Sequence, residues 1–212
     1  MMAHTLPQYN PEACGAQCSI CPMRLQGAKV IPPQWNQHAY PLAIGGQASA
    51  SIAWVLPTVF VLDAPDMNAV KFGKFLSGPP GGKFDEMLFN VGMKRNGASA
   101  PLLITSALLC RPEVPEMQGR KRYDVKNWMA YWRKGNRQRK KFGHPPEANP
   151  FECCKPRLDA ELDLAERVAG GLNARLVIQP MGSYALGSVQ GQPGKAVSIT
   201  KYRGSVIEEN VR

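Results

Sequence analysis

Apolar positions along the chain change period several times, and each change marks an element. "TVFVLDAP", 58–65, is a short β-branched apolar run ending at Asp and Pro, the pattern of a buried strand that delivers a loop at its carboxyl end. In "KFDEMLFNVGMKR", 83–95, Phe84, Met87, Leu88 and Val91 recur at helical spacing behind a glycine-rich loop. "APLLITSALLC", 100–110, predicts a second buried strand. "FECCKPRLDAELDLAERVAGGL", 151–172, predicts a helix closed by glycines, and "ARLVIQPMG", 174–182, a third strand entering a turn of helix at Ser-Tyr-Ala-Leu-Gly. This alternation argues for an α/β fold around a central, mainly parallel sheet. In such sheets ligands sit beyond the carboxyl ends of the strands, here after Leu62, Thr105 and Gln179.

Two segments depart from the alternation. Residues 30–57, rich in Pro, Gln, Gly and Ala, predict an extended covering segment with one strand. Residues 111–150 form a proline-bounded block, expected to be an insertion with one short helix near 123–134. The last stretch, "SITKYRGSVIEENVR", predicts a strand-like pair around Arg203-Gly204. A chain of 212 residues with 44% hydrophobic composition is long enough for one core, so a single domain over 1–212 is expected. No run of about 18 apolar residues and no signal-peptide pattern is present, which predicts a soluble intracellular protein without a membrane partner.

Charge changes the picture more than composition does. Of the formal net +10, the stretch 120–141 carries a net +9: Arg120, Lys121, Arg122, Lys126, Arg133, Lys134, Arg137, Arg139, Lys140 and Lys141, ten cations against the single acid Asp124. Tyr123, Trp128, Tyr131 and Trp132 are interleaved with them. Cations that neutralise phosphates, beside rings that stack on bases, are the elements of a nucleic-acid surface. A solvated basic helix without a partner is the plainer alternative. "SGPPGGK", 77–83, at a helix start adds backbone N–H groups and Lys83 as a phosphate candidate, and Lys201 and Arg203 are further candidates for backbone contact.

Six cysteines in an intracellular chain point to metal, catalysis or packing sooner than to disulfides. Cys18 and Cys21 stand three positions apart before Pro22, a spacing open to zinc, a redox pair or a cluster. Followed in order by "VFVLDAPD", "GKFLSGPPGGKFDEML", "LLITSALLCRP", "CKPRLDAEL", "VIQPMGSYALGSV" and "TKYRG", the pair resembles the iron–sulfur uracil-DNA glycosylases of family 4 type, over nearly the whole chain, from 18 to 206. The resemblance implies a three-layer α/β/α fold with a four-stranded sheet. It also implies a [4Fe–4S] cluster held by Cys18, Cys21, Cys110 and Cys154, with zinc the alternative metal and Cys153 an alternative ligand to Cys154.

The same resemblance places Asp63 at the family's acidic catalytic position and makes Ala64, Pro65, Phe75, Leu76 and Ser106 the base-pocket positions. Leu76 stands where the family has a stacking Phe, and Ser106 where it has the Asn that reads the uracil edge. The family's late His-Pro-Ser motif has no counterpart, since the histidines are His4, His38 and His144. A fold that has lost its chemistry and kept DNA binding fits these departures, as does a fragment completed by another chain. The first implies an accessory DNA-binding subunit of replication or repair, of the kind found with viral and phage DNA polymerases, in a bacterial or virus-infected cytoplasm. A glycosylase working through Asp63 on uracil or another damaged base, and an assembly subunit whose basic block faces an acidic protein, are the rival expectations.

Overall fold

The computed structural model describes residues 9–35, 57–95 and 102–202. Its centre is a four-stranded mixed sheet of β1 (Gln34–Trp35), β2 (Thr58–Leu62), β3 (Leu102–Ser106) and β4 (Val177–Met181), in the order β1-β3-β2-β4. β2 runs parallel to both β3 and β4, and β1 closes the far edge antiparallel to β3. β3 is buried at all five positions. Among the described residues β4 is an edge strand, and it tolerates Pro180 because the Val177 N–H turns inward to the Pro57 carbonyl at 2.9 Å, which leaves the backbone of Ile178 and Pro180 facing outward.

The period-2 pattern of the strands separates two cores. Phe60, Leu62, Leu102 and Ile104 face Ala69 of α2 (Met67–Phe72) and Phe84 and Leu88 of α3 (Pro79–Asn90). Val59, Val61 and Leu103 face Leu158, Leu162 and Ala165 of the long helix α5 (Pro150–Gly171) and Ala185 of α6 (Ser183–Val189). The protein is therefore α/β with helices on both faces of the sheet. The short α1 (Pro22–Leu25) follows the first cysteine pair, and α4 (Val125–Lys141) lies in the crossover from β3 to α5. No helix among the described residues is long and apolar enough to cross a membrane.

A third core lies at the carboxyl end of the sheet. Ala64, Ala107, Leu108 and Tyr184, which follow the ends of β2, β3 and β4, pack there with Trp128 and Met129 of α4 and with Cys21, Cys110, Cys153 and Cys154. Helix α4 is thus part of the body of the fold.

Several expectations change. The helix expected over 83–95 begins earlier, with Pro79 and Pro80 in its first turn, and of its four apolar positions only Phe84 and Leu88 are buried, while Met87 and Val91 face outward. The helix expected near 123–134 runs on to Lys141, through Gly135. The segment expected to open a terminal strand pair is instead the helical turn α7 (Ile199–Tyr202). The covering segment from residue 36 to 56, His4, His38, Arg203 and the second half of the expected terminal pair lie outside the described residues, as does the side chain of Lys201.

Candidate nucleic-acid interface and cysteine site

Three distant pieces of chain meet around one cavity. Cys18 and Cys21 occupy the turn before α1, closed by the Cys21 N–H on the Cys18 carbonyl at 3.3 Å. Cys110 follows β3, where it bridges Val30, and the neighbouring Ile31 N–H bonds the Leu109 carbonyl at 2.9 Å. Cys153 ends the first turn of α5 and Cys154 opens the second, in a helix that Asn149 caps by accepting the Phe151 N–H at 3.1 Å. The Gln17 N–H reaches the Cys153 carbonyl at 2.9 Å and ties the first piece to the last. Cys18, Cys21, Cys110, Cys153 and Cys154 all line the cavity, with Arg24 beside them.

The thiols oppose one another's ionisation. Burial, and then the charges that Cys154 and Cys21 would carry, push the Cys110 thiol far above its ordinary value. Burial also raises Cys18 and Cys21, and with its thiol neighbours it pushes Cys153 up to about 12. Such a group favours a cationic centre that would let several thiolates form together. The donor set, thiols only, is the one an iron–sulfur cluster uses. Among the described residues, no group of three or more His, Cys, Asp or Glu side chains is placed to hold a metal ion.

Behind Cys154 lies a feature that the sequence reading missed. Arg157 is 0% exposed, and its Nη1 donates to Thr105 Oγ1 at 3.0 Å and Glu161 Oε2 at 2.9 Å. Its Nη2 donates to the carbonyls of Ser106 and Ala107 at 2.8 and 3.2 Å. Burial works against this charge, but the Glu161 carboxylate, together with the charges that Cys154 and Tyr9 would carry, outweighs it and holds the guanidinium above its usual range. Tyr9 and Thr105 donate to Glu161 at 2.6 Å each, completing a buried network that locks the end of β3 to α5. The i, i+4 spacing of Arg157 and Glu161 was the available signal.

The positions expected to form a base pocket are largely enclosed. Phe75 and Ser106 are 0% exposed, and the Ser106 hydroxyl is spent on the Leu108 carbonyl. Pro65 is buried, while Ala64 is half-buried against the third core. Leu76 adopts φ +50° and its carbonyl accepts from Arg95 Nη1 at 2.9 Å, a contact that fixes the strained turn. Asp63 is half-buried and accepts the Ala185 N–H at 2.6 Å, so its carboxylate serves as a cap for α6. A Cβ at Gly182 would fall 2.0 Å from the Asp63 oxygen, so this approach requires glycine. Burial raises the Asp63 pKa and these backbone amides partly oppose the rise.

The glycine-rich loop does not supply the phosphate cradle expected of it. Pro79 and Pro80 have no N–H, and those of Gly81 and Gly82 both bond the Gly78 carbonyl, at 2.9 and 3.2 Å. A Cβ at Gly81 would lie 1.7 Å from the Leu76 carbonyl oxygen, which accounts for the glycine by packing. Lys83 is exposed on the next turn.

Helix α4 sorts its residues by face. Asp124 caps it, accepting the N–H groups of Lys126 and Asn127 at 2.7 and 3.3 Å. Trp128 and Met129 are buried in the third core, and Tyr131 and Trp132 pack half-buried against it. Arg111 lies over the Tyr123 ring, 3.3 Å from its centroid. The aromatics expected to stack on bases therefore build the fold. On the outer side, Lys126, Arg133, Lys134, Arg137, Lys140 and Lys141 are exposed and, at 100° per residue, share one stripe about 22 Å long.

Some cations of the segment have structural partners. Arg122 pairs with Glu113, Arg133 donates to the Gly194 carbonyl at 3.1 Å, and Arg139 donates to the Pro145 carbonyl at 2.9 Å and pairs with Glu147 at 3.4 Å. Arg120, Lys121, Lys126, Lys134, Arg137 and Lys140 are exposed without a carboxylate or carbonyl partner among the described residues. Asn136 exchanges two hydrogen bonds with the Glu147 backbone, at 3.0 and 2.8 Å, and holds the loop after the helix in place. Compared with known proteins, the chain matches no family model and no curated sequence.

Proposed function

We propose that the protein binds DNA through the outer stripe of α4. In this reading it carries the iron–sulfur uracil-DNA glycosylase-like fold without the chemistry, and acts as an accessory subunit in replication or repair, with a DNA polymerase as the partner by analogy. The observation that carries DNA binding is the stripe itself: exposed cations in register on one rigid helix, with no exposed acid among them. The ordered convergence of three chain segments on one thiol-lined cavity supports the fold assignment.

Cys18, Cys21, Cys110 and Cys154 would hold the cluster, with Cys153 on the same wall. A bound [4Fe–4S] group supplies an electron-transfer centre and a covalent tie between distant segments. The chain's own residues do the rest. Arg157 and Glu161 fix the helix that bears Cys154, and the third core seats α4 so that its cations face solvent. Silence in base excision follows from the side chains that fill the end of the sheet: a flipped base needs an open pocket, while Trp128, Phe75 and Ser106 are enclosed and Asp63 is engaged with α6.

Three measurements test this. Anaerobically purified protein is expected to be brown, with about four irons and matching sulfide per chain. Duplexes containing uracil are expected to release no free base, and release abolished by Asp63→Ala would overturn the silent assignment. Replacing Lys126, Lys134, Arg137 and Lys140 by Gln is expected to make the dependence of log affinity on log salt shallower by about 3 to 4 units. An unchanged slope would remove α4 from the DNA interface.

A further inference from the structure

One ring near the stripe is not used by the fold. Phe142 follows the last residue of α4 and is 70% exposed, whereas Trp128 is 2% exposed, Tyr131 and Trp132 are packed against the third core, and Tyr123 lies under Arg111. The Lys141 ammonium lies 5.9 Å from the Phe142 ring centroid, so the ring adjoins the end of the cation stripe.

Its position is well fixed. The Phe142 N–H bonds the carbonyls of Gln138 and Arg139, both at 3.1 Å, and the His144 N–H returns to the Arg139 carbonyl at 2.9 Å, with Gly143 at φ +74° making the turn. Arg139 and Asn136 then hold the following residues through Pro145 and Glu147. An exposed phenylalanine is ordinary on a protein surface. This one is presented by a braced helix end, next to cations that draw in a phosphate backbone.

We infer that Phe142 is a stacking platform for an unpaired nucleobase, so that α4 takes single-stranded DNA, or the overhang of a partial duplex, in preference to a blunt duplex. This rests on the DNA-binding reading above. The stripe tracks the backbone, and at its end the ring face receives a base that has already left the stack. Stacking of this kind needs no base-specific hydrogen bonds and tolerates any sequence. It also needs no enclosed pocket, in keeping with a filled sheet end.

The test compares anaerobically purified full-length protein with its Phe142→Ala and Phe142→Trp variants. Each is titrated with a single-stranded oligonucleotide, the same strand in a partial duplex with an overhang, and the blunt duplex, at several salt concentrations. The wild type is expected to favour the two ligands with unpaired bases. Phe142→Ala is expected to lose about 5- to 150-fold in affinity for those ligands, with the salt slope unchanged, because stacking contributes without releasing counterions. Phe142→Trp is expected to bind at least as tightly as wild type. A 2-aminopurine in the single strand is expected to report base contact in the wild type and to lose that response in Phe142→Ala. Equal binding of all three ligands, or Phe142→Ala binding like the wild type, would overturn the inference and leave backbone binding by α4 standing. Failure to bind any of the three would overturn both.

Discussion

Arg157 on α5 and the cations on the outer face of α4 carry the same charge, and the protein treats them in opposite ways. Arg157 is wholly enclosed, with four acceptors around its two terminal nitrogens. Lys126, Lys134, Arg137 and Lys140 stand in solvent without protein partners among the described residues. The difference teaches which charge is structural and which is available to a ligand. A buried cation is retained only with its counter-charge, because removing one partner leaves the other uncompensated in a poor solvent for ions. An exposed, unpaired row gains little for folding and keeps its electrostatic potential free to act outward.

Breaking the inner site should have the largest effect. Arg157→Met leaves the Glu161 carboxylate buried without a cation, and a loss of about 3–5 kcal/mol is expected in denaturant unfolding. The double replacement with Glu161→Leu should recover most of that loss, since the pair is then replaced by apolar volume. If the single variant were as stable as wild type, the division between inner and outer charge would fail at its stronger end.

Stripping the outer stripe should sharpen the contrast from the other side. The fourfold Gln variant of Lys126, Lys134, Arg137 and Lys140 is expected to stay within about 0.5 kcal/mol of wild type per site in unfolding, even though its salt-dependent DNA binding changes. A large loss of stability would mean that the stripe, too, is part of the fold.

The smallest effect is expected at Asp63, a half-buried anion without a cation beside it among the described residues. Because its folded pKa is raised above the unfolded value, its contribution to stability is present in acid and is lost as pH rises through the folded pKa. Asp63→Asn keeps an oxygen for the Ala185 N–H and does not titrate. Melting at neutral pH should therefore be at or above that of wild type, with the gap closing towards acid. A gap that widened towards acid would reverse the assigned sign.

The strands and α5 were legible because burial writes itself into period: β-branched runs at 58–62 and 102–106, and apolar spacing along 151–171. The extent of α4 was not. Its second half has a glycine and a run of polar residues, and it is supported by contacts made across the turn, Asn136 to Glu147 and Arg139 to Pro145. The aromatics near 128 were read with the cations beside them in sequence, whereas helical geometry separates the two on different faces. Met87 and Val91 show the converse: helical spacing marked them as core, but α3 turns only Phe84 and Leu88 towards the sheet. The glycines of 77–83 suggested an anion site, yet the adjacent prolines remove the donors such a site needs. Phe142 was visible as a residue, but what distinguishes it is that its neighbouring rings are covered.

Pro180 has a consequence for how this molecule meets others. On the side of β4 that no other described strand pairs with, the two outward-facing positions within the strand are Ile178 and Pro180, and proline has no hydrogen to offer. A visiting strand would find one donor along that rim where an ordinary edge offers two, a poor template for continuing the sheet into a neighbour. Self-association by strand addition is disfavoured on that side, which steers assembly towards the helical faces.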